Sequence, residues 1–574
     1  VCGAALIATA ALVASSAPPA PSDVLPLGRE MRVRLIGGRE LLLEVKPWPG
    51  ESLPSLARRM APSPAQSALL EASLAEGNAK TDDGFYRLPF ALLGTDARAL
   101  VLRSVFPDDR ADGGDWLHVA RASPLPIYDE GLWQVAAWFT GDGAHFVELL
   151  RVNDLASPEL ARGQIVRIPA SLLDAALKQG ATSDDGILVY GSDAKGAFAG
   201  YRLKPGEALY SAVVLRFTGR TSSEDVESLA RTIAARSDVR DLTDIPAGWL
   251  VKIPFDLLEP EFLPSSDARR KSIDKAKAAM ERELSARPPT KTTQGLEGVV
   301  VIIDPGHGGI DPGTMNHHLW EHDYVFDVAS RLRRELETHT AAKVYFTLDD
   351  TGKKTAPSRG DALESNRKRS VLTTPPFLAE EHRDTAIAVN LRWYLANSLY
   401  RKLVKKGVDP DKIVFLSLHA DARHASLRGA MVYVPGAAYR KGTMGSSSST
   451  YLRFKEVREQ PRVSFTSKDR VRSEAVSGKL AVALVKALKK ADLPLQPYQP
   501  IRERVIRGRK VWLPAVLRGN VVPTKVLIEM VNLNNPEDAT LLGHAADRER
   551  LAKALANALS DYFRPKARGR AGGR

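Results

Sequence analysis

The sequence predicts an α/β protein, a mostly parallel sheet flanked by helices, preceded by three small α+β modules of βααβ type. Three observations carry that expectation. The second half alternates continuous apolar runs with amphipathic stretches of helical period, as parallel strands and crossover helices do. The first half repeats a closing phrase: "YRLPFALL" at 86–93, "VRIPASLL" at 166–173 and "VKIPFDLL" at 251–258. Between the halves the chain becomes highly charged and is bounded by Pro, Ser and Thr, the composition of a linker. At 574 residues the chain exceeds one hydrophobic core, so several domains are expected.

In chain order, residues 1–23, "VCGAALIATAALVASSAPPAPSD", carry no charge before Asp23. They read as the hydrophobic and cleavage regions of a secretory signal, cut near Ala17. The apolar core is too short for a bilayer span, and no later stretch resembles one. Cys2 is the only cysteine, which excludes intramolecular disulfides and cysteine-ligated zinc. It precedes the apolar run, whereas a lipoprotein cysteine would follow it.

The modules are expected at 30–95, 115–175 and 198–260. Each opens with a turn and a helix start, "PGESLPSLARRM", "DEGLWQVAAWF" and "PGEALYSAVVLRF". Each closes on a strand ending at Pro89, Pro169 or Pro254, where no ladder hydrogen bond is required of the proline nitrogen. A charged linker with a helical centre follows at 261–296, then a domain at 297–564 and a basic tail at 565–574, expected to be disordered.

Within the large domain, "GVVVIID", "KIVFLSLHA" and "TKVLIEMV" read as strands buried on both faces. "YVFDVASRLRRELE" puts Val325, Val328, Ala329, Leu332 and Leu336 on one helical face, and "AVSGKLAVALVKALKKA" is a second amphipathic helix. Ligands of such sheets gather beyond the carboxyl ends of the strands. His307, His419 and Glu529 lie at those ends.

A hydrolytic zinc site needs about three nitrogen or carboxylate ligands and an open position. His307 sits in "DPGHGG", whose glycines allow a tight turn. Glu321 opens the next helix, where the dipole favours a carboxylate, and His419 comes from a separate strand. Glu529 is the candidate proton carrier. A rival set is His318, Glu321 and His322 in "HHLWEH", the H-x-x-E-H order of inverted zincins. It places its first histidine in a loop and leaves His307 unexplained; otherwise His317, His318 and His322 read as exposed or rim histidines.

The net charge of +13 suits anionic polymers or surfaces. No recognition helix, zinc finger or RNA-binding signature accompanies it, so nucleic acid is disfavoured.

Two resemblances extend this reading. "EGLWQVAAWFTGDGAHFVELLRVNDLASPELARGQIVRIP" resembles the LysM module through Leu132, Trp133, Asn153, Leu155, Gly163, Gln164 and Pro169. The first and third modules keep the start and end but not the centre. The resemblance implies a βααβ fold that binds N-acetylglucosamine-containing glycans. "IIDPGHGGIDPGT", Glu321, "LRWYLANSLY", "FLSLHADA", "GAMVYV" and "VLRGNVVPTKVLIEMVNLNNPEDATLL" together resemble the zinc-dependent N-acetylmuramoyl-L-alanine amidases, from about 298 to 563.

That second resemblance implies one Zn2+ on His307, Glu321 and His419, with Glu529 as the catalytic glutamate. It implies cleavage of the amide between N-acetylmuramic acid and the L-alanine of the stem peptide. Peptidoglycan is then the partner, with a protein activator as an optional further one, and the site of action is the periplasm or cell wall. The sequence departs from the family at Val531 and Asn532, where Gly-Phe is usual, and at Asp421, where asparagine is usual. It also carries two basic polar insertions, one before "LRWYLANS" and one after "MVYV", which read as lids, groove walls, partner sites or tolerated surface loops. Two alternatives remain: a zinc hydrolase cutting another wall amide, and an inactive wall-binding scaffold.

Overall fold

Six strands of the second half form one sheet, in the order Lys343–Phe346, Val300–Pro305, Ile413–His419, Thr524–Glu529, Met431–Tyr433, Ile501–Arg502. The first four run parallel; Met431–Tyr433 joins antiparallel and pairs in parallel with Ile501–Arg502. The sheet is therefore mostly parallel, as the continuous apolar runs predict. This computed structural model describes residues 22–564 except 78, 179, 286–293, 309–310, 317, 350–356 and 379–384. The signal expected at 1–23 lies outside the described residues but for its last two, and so do the basic tail and His317.

Side chains alternate along a strand, so each strand serves two faces. Val301, Ile303, Val414, Leu416, Leu418, Val526 and Ile528 pack in one cluster with Val325, Val328, Leu332 and Leu336 of helix Glu321–His339. Leu480 and Leu484 of helix Ser467–Lys490 and Leu551 and Leu555 of helix Ala545–Phe563 complete it. Each such side chain contributes about 1.5–3 kcal/mol when fully buried. The intervening residues Asp304 and Ser417 face the other way. There Ser417 Oγ donates to Asp304 Oδ2 at 2.8 Å, and Arg392 of helix Thr385–Lys405 donates to Asp304 Oδ1 at 3.0 Å.

Both insertions are fastened to this scaffold. In the first, the Asn366 and Ser358 amides donate to Asp323 and Asp327, and Arg369 Nη1 donates to Asp323 at 2.7 Å. In the second, Phe454, Val457 and Val463 pack with Leu391, Trp393 and Tyr394.

The chain divides into two units, Val1–Glu207 with Ala234–Ile253, and Ala208–Ile233 with Pro254–Arg574. In the first, strands Glu40–Val45 and Tyr86–Pro89 pair antiparallel across helices Leu53–Met60 and Pro64–Leu74. Strands Asp115–Val119 and Ile165–Ile168 likewise bracket Leu132–Thr140 and Phe146–Val152. Both have the strand, helix, helix, strand order expected of the modules. The stretch expected as the third module is divided: its strands Gly196–Arg202 and Leu250–Pro254 share a sheet, while residues 208–233 belong to the unit with the six-stranded sheet.

The second module is built around a buried ion cluster. His118 has no exposed side-chain surface; its Nδ1 lies 2.9 Å from Asp109 Oδ2 and its Nε2 3.3 Å from Glu130 Oε1. Phe106 and Phe139 close over the ring, each 4.8 Å away between centroids. Burial opposes the imidazolium, but hydrogen bonds and charge from Asp109 and Glu130 outweigh it and lift His118 from 6.5 to about 9. A pKa raised on folding gives stability that is complete below about 6.5 and lost as pH rises through about 9. Hydrogen-exchange protection in peptides spanning 106–139, measured relative to the base-catalysed intrinsic rate at each pH, should therefore fall between pH 7 and 10. His118→Leu should remove that pH dependence and cost about 3–5 kcal/mol by stranding two buried carboxylates.

Candidate metal centre

The site forms where three parallel strands end. Past Pro305 the chain turns sharply: Gly306 donates to Leu418 O at 2.7 Å, and His307 adopts a left-handed φ of 58°. A non-glycine residue pays for that conformation with strain, and such strain concentrates at functional sites. The turn presents the imidazole so that Nδ1 lies 3.0 Å from Asp311 Oδ2, while Nε2 lies 3.3 Å from Glu321 Oε1.

Glu321 is buried at the start of its helix, where the dipole favours negative charge. Its Oε2 accepts the Thr314 N–H at 2.8 Å, and its Oε1 accepts the Ala420 N–H at 2.9 Å. His419, last residue of the central strand, brings Nδ1 to 3.2 Å from the same Oε1. The two imidazoles stand nearly perpendicular, 5.0 Å apart at 83°. Donor atoms of His307, Glu321 and His419 all lie within 4.8 Å of one another.

The electrostatics agree with the geometry. Against burial, the His307 charge and hydrogen bonds from both histidines hold Glu321 far below the usual carboxylate range. Against burial, the Glu321 charge and the bond to Asp311 push His307 up to about 10. The proton on His307 thus balances a carboxylate that is committed to staying ionised, and a divalent cation can take its place.

The donor set fits zinc: two imidazoles and one carboxylate, with both histidine side chains partly open to solvent, at 26% and 17% exposure. Two glycines keep the space clear. A Cβ on Gly306 would lie 2.5 Å from His419 Nδ1, and one on Gly313 would lie 2.5 Å from Glu321 Oε2. Asp311 fixes which nitrogen of His307 faces the group, as outer carboxylates do at metal sites.

Glu529 ends the neighbouring strand, in register with His419. Its side chain is 8% exposed, and Oε2 has no hydrogen-bond partner among the described residues. Oε1 lies 3.8 Å from Arg423 Nη2. Burial, and then the Asp421 carboxylate, lift Glu529 well above the usual range against the pull of Arg423.

The rival trio is not assembled. His318 is exposed, at a φ of 63°. His322 is buried, with Nδ1 3.1 Å from Arg369 Nη1 and Nε2 3.3 Å from Asp323. Only Glu321 of that trio enters the group. Asp311 and Arg423 were not singled out by sequence. For Asp311 the usable signal is a carboxylate four residues beyond a loop histidine; Arg423 has none, because its partners are remote in the chain.

Exhaustively dialysed protein reloaded with zinc and assayed by mass spectrometry for bound metal should separate these residues. His419→Ala and Gly313→Ala should each lower zinc affinity more than about tenfold, and His318→Ala should leave it unchanged.

Residues 301–561 match the family model described as N-acetylmuramoyl-L-alanine amidase. The N-acetylmuramoyl-L-alanine amidase AmiA of Escherichia coli is 26% identical over 283 residues, 48% of this chain and 80% of that protein. An uncharacterized cell wall amidase of Bacillus anthracis is 24% identical over 278 residues, 48% of this chain and 37% of that protein. Among solved structures, the N-acetylmuramyl-L-alanine amidase Ami1 of Mycobacterium smegmatis aligns with 47% of this chain and 99% of its own, at 17% identity and a TM-score of 0.30. Over residues 301–561 the chain matches the N-acetylmuramoyl-L-alanine amidase family model, and its N-terminal half lies outside that match.

Proposed function

We propose that the protein is an exported peptidoglycan hydrolase that cuts the amide between N-acetylmuramic acid and the L-alanine of the stem peptide. His307, Glu321 and His419 hold one zinc ion, and Glu529 carries the proton. The observation that bears this reading is the convergence of those three donors within 4.8 Å beside a buried carboxylate in register with one of them.

Zinc on these three side chains supplies Lewis acidity, which polarises the amide carbonyl and acidifies water. The chain's own groups do the rest. Glu529 Oε2, buried and without a hydrogen-bond partner among the described residues, takes a proton from the attacking water and returns it to the departing nitrogen of L-alanine. Burial and the Asp421 carboxylate raise its pKa against the pull of Arg423, which favours the form that holds a proton. Asp311 holds the His307 ring, and Arg392 Nη2 binds the His307 carbonyl, so the strained turn keeps its shape.

The first half supports wall targeting. Trp133, in the second LysM-like module, is 59% exposed and offers a flat face to a sugar ring. Asn153 of the same motif is structural: its side chain binds Leu149 O, Arg167 O and Arg167 N, tying helix to strand. Tethering raises the local concentration of an insoluble substrate without new contacts at the active site. A basic surface adds attraction to an anionic wall. No helix among the described residues is long and apolar enough to cross a membrane.

The departure at Asn532 prompts the reading in which another amide is cut. Its side chain is fully engaged, accepting from Arg423 N and donating to His424 O and Leu427 O, which argues for a structural role. The inactive-scaffold reading is disfavoured by the intact donor group.

The test is mass spectrometry of purified peptidoglycan digested by the full chain, with zinc and with a chelator. Free stem peptides beginning with L-alanine should appear only with zinc; other fragments would reassign the bond. Glu529→Gln should keep its zinc while the rate falls about 10²–10⁴-fold.

A further inference from the structure

We infer that Arg423 is a positioning residue for Glu529, and that a segment upstream of the family domain, centred on Tyr210 and Thr221, positions Arg423. The inference rests on Glu529 being the proton carrier. Arg423 stands between two carboxylates: Nη2 pairs with Asp421 Oδ2 and lies 3.8 Å from Glu529 Oε1. Its side chain is 11% exposed. Without that guanidinium, Asp421 and Glu529 would face one another as like charges in a desolvated corner, and Glu529 would turn away from the zinc donors.

Arg423 is itself held from two sides. On one, its N–H donates to Asn532 Oδ1 at 2.8 Å and its carbonyl accepts from Asn534 Nδ2 at 2.8 Å. On the other stands residue 221, more than two hundred positions earlier. Arg423 Nη1 donates to Thr221 Oγ1 at 3.4 Å, and the His424 N–H donates to Thr221 O at 2.9 Å. The Tyr210 ring stacks on the His424 imidazole, 5.3 Å between centroids and 26° apart.

This upstream segment is anchored independently of Arg423. Gly219 O accepts from Arg502 Nη1 at 3.1 Å, and Asp225 accepts the Gly508 N–H at 2.9 Å. Thr221 is buried, and residues 208–233 belong to the same unit as the six-stranded sheet. The matched domain, 301–561, therefore lacks one wall of its own proton-transfer corner when taken alone. Misplacing a reacting group by about 1 Å can cost about 100-fold in rate, so such support has a kinetic signature.

The experiment uses the full chain and a soluble muramoyl-peptide fragment. Arg423→Met should lower kcat by about 100-fold, with KM and bound zinc unchanged, and Arg423→Lys should restore part of the loss. Thr221→Ala should lower kcat about threefold in the native background, and have no effect in the Arg423→Met background. Native kcat in Arg423→Met, or an undiminished Thr221→Ala effect in its absence, would overturn the inference. If Arg423→Met does not fold, Thr221→Ala in the Arg423→Lys background makes the same comparison. If the unaltered chain cleaves no muramoyl amide, the functional reading fails instead. Crystal structures then decide the positioning role alone: a displaced Glu529 carboxylate in Arg423→Met supports it, and a superimposable one refutes it.

Discussion

The site depends on one buried carboxylate. Glu321 receives two backbone N–H groups and faces two imidazoles, so it is ionised, immobile and shared. Ala420 follows His419 directly, and Thr314 closes the loop that begins at His307. One side chain thereby pins the helix start, the glycine loop and the central strand to one point. A buried anion is tolerated only when its hydrogen bonds and counter-charges are supplied in full, and this site supplies them.

The sheet makes that arrangement affordable in conformational terms. One face is almost wholly aliphatic and carries the helices Glu321–His339, Ser467–Lys490 and Ala545–Phe563. The opposite face carries the polar line of Asp304 and Ser417, held by Arg392. Polar chemistry thus occupies the positions that alternation leaves free, and the apolar side bears the stability. The insertions add to this frame: Arg369 braces the first turn of the helix that presents Glu321.

Much of this was legible because burial on both faces leaves a local trace. Continuous runs such as "VVVII" and "KIVFLSL" read as strands, and the rule that ligands gather at strand ends then pointed to His307, His419 and Glu529. Glu321 was legible as an acidic residue opening a helix. The rest had no local trace. His322 reads as an exposed or rim histidine in sequence, yet it is buried, and Arg369, 47 positions away, engages it. The closing phrase at 251–258 marked a third module, but nothing nearby showed that residues 208–233 pack with the distant sheet. Arg423 was invisible for the same reason: its role is written in Thr221, Asn532 and Glu529 together.

The bond between Thr221 and Arg423 spans 202 positions of sequence. Contacts of such separation carry a large loop-closure cost and form late, after local helices and neighbouring strands. During synthesis, residues 208–233 emerge well before the loop that carries Arg423 and His424. In a chain made in that order, the support that Thr221 gives Arg423 is added only after residue 423 has been made.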